Sequence, residues 1–153
     1  MPIISKIYHS SGQLGPNILA KDGPKVEVEV SVSTVLQQFL QTNNNKIPVP
    51  VRGQAIIDTG AQISCIDDTV ASKLGINPSG QIHGSGMSGY SPRNSYSAKL
   101  AIIAANQRWQ FESAKVMGVD IINQGLIALI GRDFLSKGMM TYSGFMGIVD
   151  LSI

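Results

Sequence analysis

The chain of 153 residues contains one cysteine, two histidines and few charged side chains, 14% in all. A single cysteine, Cys65, cannot close an intrachain disulfide, so nothing in the sequence requires an oxidising compartment. One cysteine and two isolated histidines, His9 and His83, make no ligand cluster for zinc, and no metal or other cofactor is expected. The lysines and arginines are scattered, with a net charge of +2 and no basic tract interleaved with aromatics, so nucleic acid is a poor partner. No apolar run approaches the ~20 residues that cross a bilayer. The N-terminal stretch MPIISKIYHSSGQ has no uninterrupted apolar segment of the kind a signal peptide needs. These absences together suggest a soluble, cytoplasmic protein without a membrane partner.

What is present is turn-forming and apolar. Apolar residues make up 43% of the chain, and sixteen glycines and seven prolines are spread along it. That balance suggests one domain of many short strands, an all-β chain rather than a helical bundle. Residues 1–24, rich in Gly, Pro and Ser, read as an extended N-terminal segment ahead of a domain spanning 25–153. KVEVEVSVS (25–33) alternates cleanly and predicts a half-buried strand with Val26, Val28, Val30 and Val32 on one face. VLQQFL (35–40) either extends that strand or makes a helical turn. IPVPV (47–51) must be extended, yet its prolines bar it from a central strand. A turn at Arg52-Gly53 is expected to lead into the strand AIID.

A short helix follows, with Asp67 or Asp68 as its cap, Val70, Ala71 and Leu74 on one face, and Gly75 as its stop. Residues 79–97, SGQIHGSGMSGYSPRNSYS, bury little and suggest a mobile loop or hairpin. Strands are expected at 98–104 and 109–117, an apolar run at 125–131, a brief helix from Arg132, and a final hairpin turning near Ser143-Gly144. The count is six to nine strands and one or two short helices. Cys65 lies in an apolar run with no histidine near it in sequence, so a small buried side chain is preferred over a nucleophile. Trp109 and Phe111 alternate along a strand and suggest core or dimer packing. GSGMSG (84–89) matches a dinucleotide-binding pattern only by chance, since no strand leads in and Pro92 discourages a following helix.

The chemistry concentrates at AIIDTGAQISCI (55–66), where a core strand runs into a carboxylate. An ionised acid is costly to bury without a partner. Asp58 can therefore be a turn cap that accepts backbone N–H groups, or half of a catalytic pair. The full pattern of two apolar residues, Asp58-Thr59-Gly60-Ala61-Gln62, an apolar residue, Ser64 and two more apolar residues resembles the active-site signature of retropepsin-like (retroviral-type) aspartic proteases. The segment ALIGRDFL (128–135) is similar to that family's Gly-Arg-Asp/Asn segment near the C-terminus. The resemblance covers roughly residues 25–153 in order.

This resemblance implies a closed or partly open β-barrel of the acid-protease type with one DTG motif per protomer. It implies a homodimeric aspartic endopeptidase in which two Asp58 carboxylates share a water, acting on a peptide or protein substrate. Asp58, Thr59 and Gly60 would be catalytic. Ala61, Gln62, Gly86, Met87 and Leu129 would touch substrate beside Gly60, with the hairpin around 83–97 as a flap from which Tyr90 can also reach down. Ile130, Gly131, Arg132 and Asp133 would support the site. One position departs from the family: where many members carry an acid that pairs with the arginine, this chain has the neutral Gln62, so Arg132 needs a different partner. A catalytically silent dimerisation or peptide-binding module on the same fold is the alternative.

Overall fold

The computed structural model describes residues 3–7, 15–86, 89–104 and 107–152. Its core is a closed ring of strands. β2 (Lys25–Val32) pairs antiparallel with β3 (Val51–Ile57), and β3 pairs parallel with β8 (Ala128–Ile130). β8 lies against β4 (Cys65–Asp67), β4 runs parallel to β7 (Gln107–Val119), and β7 pairs with the long β6 (Gly89–Ala104). β6 returns to β2 through six residue pairs, Glu27↔Ile103 to Val32↔Ala98, closing six strands into a barrel. β5 (Gly80–Gly86) hangs from β6 outside the ring as one arm of a hairpin.

The alternation in β2 is what fills this ring. Val26, Val28, Val30 and Val32 are all buried, and they meet Ala55, Ile57, Leu100, Ile102 and Ile130 from the other strands. Every second side chain faces inward on a pleated strand, so a short valine repeat supplies one continuous apolar wall. Phe111 of β7 is buried against Phe134, with ring centroids 4.6 Å apart, and Trp109 packs half-buried on the core. A second sheet of β1 (Ile3–Ile7), β10 (Ile148–Ser152) and β9 (Met139–Ser143) stands beside the barrel, in the order β1-β10-β9.

Helices are more numerous than expected. Residues 15–22 were expected to be extended, but they form α1 (Gly15–Asp22), which sends Leu19 into the core. The ambiguous VLQQFL is helical, within α2 (Thr34–Thr42). Ser33 decides this locally, because its hydroxyl accepts the Leu36 N–H at 3.2 Å as an N-cap. The carboxylate of Glu112 then takes the Thr34 N–H (2.7 Å) and hydroxyl (2.6 Å), pinning the helix to β7. α3 (Asp68–Lys73) follows the expected pattern, capped by Asp67 and stopped at Gly75, whose φ is +65°. α4 (Arg132–Leu135) is the brief helix after β8.

Arg52 and Gly53 are not a turn. They lie inside β3, with Arg52 opposite Glu29 and bonded to it at 2.8 Å, and Gly53 leaves room for Ile127. The glycine- and serine-rich segment forms the β5–β6 hairpin, and β6 continues unbroken into the expected 98–104 strand. No helix among the described residues is long and apolar enough to cross a membrane.

Asp67 is 1% exposed and ties two elements together. Its Oδ1 accepts the N–H and hydroxyl of Thr69 in α3, and its Oδ2 accepts the N–H groups of Ile121 (2.8 Å) and Ile122 (2.7 Å) beyond β7. Burial works against its charge, but these donors outweigh burial and hold the carboxyl below its ordinary range. A depressed folded pKa contributes stability above the unfolded value, and that stability is lost as pH falls through the folded one. Stability should therefore decline below about pH 4. Asp67→Asn should be about 1–3 kcal/mol less stable at pH 7 and show a shallower acid decline, as read by denaturant unfolding across pH.

Candidate active site

β3 carries Asp58 to one end of the barrel. The Asp58 N–H donates to the Ile130 carbonyl (2.9 Å), which extends the parallel β3–β8 pairing by one residue past Ile57. The chain then turns: Ala61 N–H donates to the Asp58 carbonyl at 3.2 Å, and Asp58 Oδ1 accepts the Gly60 N–H at 2.8 Å. A turn-capping acid would do the same, so capping accounts for Oδ1. Among the described residues no hydrogen bond reaches Oδ2. Asp58 is half-buried, whereas Thr59 and Gly60 are exposed.

A second segment crosses directly behind this turn. Arg132 N–H donates to the Ala61 carbonyl (2.9 Å) and Asp133 N–H to the Gln62 carbonyl (3.2 Å). Arg132 Nη1 reaches the Thr59 carbonyl at 3.2 Å, which is the new partner that Gln62 made necessary. Fully buried Ser64 is the joint between the two segments. Its hydroxyl accepts the Gly131 N–H (3.0 Å) and donates to Asp133 Oδ1 (2.7 Å), while its own N–H donates to Asp133 Oδ2 (3.0 Å). At Gly131 the two backbones touch. A Cβ there would stand 2.6 Å from the Ile63 carbonyl carbon and 2.8 Å from its oxygen, so this position needs glycine for space rather than for backbone angle.

Asp58 opens on two cavities. The larger, about 470 Å³, is lined by Asp58, Gly60, Ala61, Gln62, Leu129 and Arg132, all singled out from sequence. Ile63, Cys65, Ile82, His83, Gly84, Met117 and Val119 complete it. The smaller, about 370 Å³, runs from Asp58 and Thr59 to Pro24, Ile57, Met140 and Tyr142. A third cavity of about 440 Å³ lies elsewhere, between α2 and the turn after α3. Ile130 and Gly131 are buried behind the turn, and Asp133 is turned towards Ser64. Gly86 sits at the end of β5, outside that lining, and Met87 lies outside the described residues, as does His9.

Sequence reasoning gave Ser64 no role, although it stands in the quoted pattern as a polar residue between apolar ones. His83 is exposed, stacks on Tyr90 at 6.0 Å, and also lines the larger cavity. Cys65 is buried, and burial first, then the charges of Asp133 and Asp58, push its thiol up to about 12. A thiol so hard to ionise is a poor nucleophile. Among the described residues no group of three or more His, Cys, Asp or Glu could hold a metal ion.

A six-stranded closed barrel, with an Asp-Thr-Gly turn at one end and a Gly-Arg-Asp segment crossing behind it, defines a retropepsin-type fold. The family model for retroviral aspartyl protease matches residues 20–141, and the chain belongs to that family. Among solved structures it is similar to a retropepsin-like aspartic protease from Rickettsia conorii, at 14% identity and a TM-score of 0.50, covering 98% of this chain and 90% of that one. It is also similar to the EIAV protease complexed with the inhibitor HBY-793 (17%, TM-score 0.39, 74% and 86% covered). The retroviral protease-like domain of Ddi1 from Leishmania major gives 16% identity and a TM-score of 0.38, with 78% and 82% covered. No curated protein matches the chain.

The contact at Gly131 gives a direct test. Gly131→Ala should cost about 1–3 kcal/mol, because backbone rather than a flexible side chain must move. Gly80→Ala, with open space around its Cβ position, should stay within about 0.5 kcal/mol. Equal unfolding midpoints for the two variants would contradict the crossing.

Proposed function

We propose that the protein is a homodimeric aspartic endopeptidase whose catalytic pair is Asp58 and the partner subunit's Asp58. The observation that carries this reading is the state of the Asp58 carboxylate. One oxygen is fixed by its own turn, and the other has no hydrogen bond from the described residues at the mouth of a large cleft of mixed polar and apolar lining. One such group per chain is half of an aspartic-protease site, and a two-fold axis supplies the other half. Two carboxylates that close resist double ionisation, so the pair shares one proton, as in aspartic proteases generally. The ionised member takes a proton from water while the water oxygen attacks the scissile carbonyl carbon. The protonated member donates to the carbonyl oxygen. Collapse of the tetrahedral intermediate breaks the C–N bond, and the departing nitrogen takes up a proton.

The remaining residues have positional roles in this reading. Thr59 bonds across the axis and locks the two turns, and Gly60 offers its carbonyl to the substrate backbone. Ala61, Gln62 and Leu129 line the bound peptide. The β5–β6 hairpin, with Gly86 in β5, closes as a flap that excludes water, and Met87 touches substrate in this reading. Ile130, Gly131, Arg132 and Asp133 hold the turn from behind. The surface around the axis supports a second copy. Exposed Thr59 borders the cavity that reaches Met140 and Tyr142, and the β9–β10 hairpin continues from there with Met139, Phe145 and Met146 largely exposed. β9 is also an unpaired sheet edge among the described strands, open to addition of another strand.

Cleavage of a peptide library by wild type and Asp58→Asn tests the reading. The variant should lose at least about a thousandfold in kcat/KM. Specific activity should fall when the protein is diluted below its dimer dissociation constant, in step with sedimentation. Equal cleavage by the two proteins, or full activity in a monomer, would overturn it. No cleavage by wild type across the library would favour the silent peptide-binding module.

A further inference from the structure

The charges facing the larger cavity form no ion pair among the described residues. Arg132 donates one N–H to a neutral acceptor, the Thr59 carbonyl, and no carboxylate among the described residues lies within ion-pair distance of it. A guanidinium has five N–H donors in a planar fork that fits a carboxylate, so most of its capacity is unused. The nearby acids do not supply it. Asp133 is engaged by Ser64 and by the Phe134 N–H, and Asp58, bonded to Gly60 through Oδ1, makes no ion pair with Arg132. Gln62, in the same wall, is neutral. The other titratable side chain lining the cavity besides Cys65 is His83 of β5. Its neighbours on β6 are Tyr90, stacked on it, and Arg93, opposite Ile82 in register, and neither is an acid in competition for a cation.

We propose that this cleft selects peptides bearing an acidic side chain, whose carboxylate is bound by the free donors of Arg132. The inference rests on the peptidase reading and names its substrate class: a mostly apolar segment with one Glu or Asp close to the scissile bond. The apolar part follows from Ile63, Ile82, Met117, Val119 and Leu129 in the lining. The acidic part follows from Arg132, whose remaining donors make no ion pair among the described residues.

The test uses apolar peptides in matched pairs that differ only by Glu or Gln, with that residue moved through three positions on either side of the cleaved bond. At one position the Glu peptide should be cleaved with a kcat/KM roughly three- to fivefold higher, and the advantage should shrink in high salt. Gln62→Glu places an internal carboxylate beside Arg132 and should abolish or invert the preference. The salt dependence of the wild-type ratio gives the same reading should that variant not fold. Equal rates for Glu and Gln at every position, or a preference indifferent to salt and to Gln62→Glu, would overturn the inference. If neither peptide of any pair is cleaved, the peptidase reading fails. The charge inference is then decided by the affinity of the same pairs for wild-type protein: tighter binding of Glu supports it and equal binding overturns it.

Discussion

The contact on which the site depends is the passage of the Gly131 backbone against the backbone of Ile63 and Ser64. Two chain segments, nearly seventy residues apart in sequence, meet there without a side chain between them. That approach lets one hydroxyl, Ser64, bond to Gly131 and Asp133 at once, and it places the Arg132 and Asp133 N–H groups on the Ala61 and Gln62 carbonyls. The polar groups of the turn are thereby satisfied from behind, inside the protein. The turn after Asp58 does not need the cleft to hold its shape, and Asp58 Oδ2 receives no hydrogen bond from the described residues. A larger residue at 131 would push the segments apart and loosen all of these bonds together, which is why steric room rather than glycine's flexibility is the constraint.

The barrel makes that contact possible. β3 and β8 run parallel side by side, so each delivers its next residues to the same end, Asp58 from one and Gly131 from the other. β4 then returns antiparallel on β8 and parallel to β7, closing the loop between Asp58 and Cys65 over the crossing. Closure between β2 and β6 fixes the positions of all six strands, and the valines of β2 fill the space inside. Hydrophobic burial supplies the stability of the barrel, and the hydrogen bonds behind Asp58 convert that stability into a fixed carboxylate.

Much of this was legible in the sequence because it follows short-range rules. The β2 alternation, the Asp67 cap, the Gly75 stop and the DTG and Gly-Arg-Asp segments each depend on residues close together. What was missed depends on partners far apart. The VLQQFL segment has no decisive period, and its helical state is fixed by the Ser33 cap together with Glu112, some eighty residues away. Arg52-Gly53 looks like a turn in isolation, but Glu29 on the neighbouring strand and the space occupied by Ile127 make it part of β3. Gly15–Asp22 has the composition of a loop and becomes helical as Leu19 finds the core. Ser64 and His83 were passed over for the same reason, since neither acquires a role until the chain brings Gly131 or the cleft beside it.

The distribution of satisfied charge separates the scaffold from the cleft. The chain has few carboxylates, and those in its interior are committed. For Glu29, burial opposes the charge, yet Arg52 and Arg108 outweigh it and hold the carboxyl below its usual range. Asp67 is committed to α3 and the segment after β7, and Asp133 to Ser64. Glu29 and Asp67 oppose unfolding as long as they stay ionised, and they stay ionised into acid because their donors are built into the fold. Asp58 and Arg132 differ from them. Each makes one bond that fixes its position and keeps further bonding capacity directed at the cleft. A folded chain gains nothing from an acid and a base left incompletely paired in one cavity, because pairing each internally would lower its desolvation cost. Their unused capacity is therefore capacity for something from outside, which in the proposed reading is a second carboxylate and a water for Asp58, and a substrate's acid for Arg132.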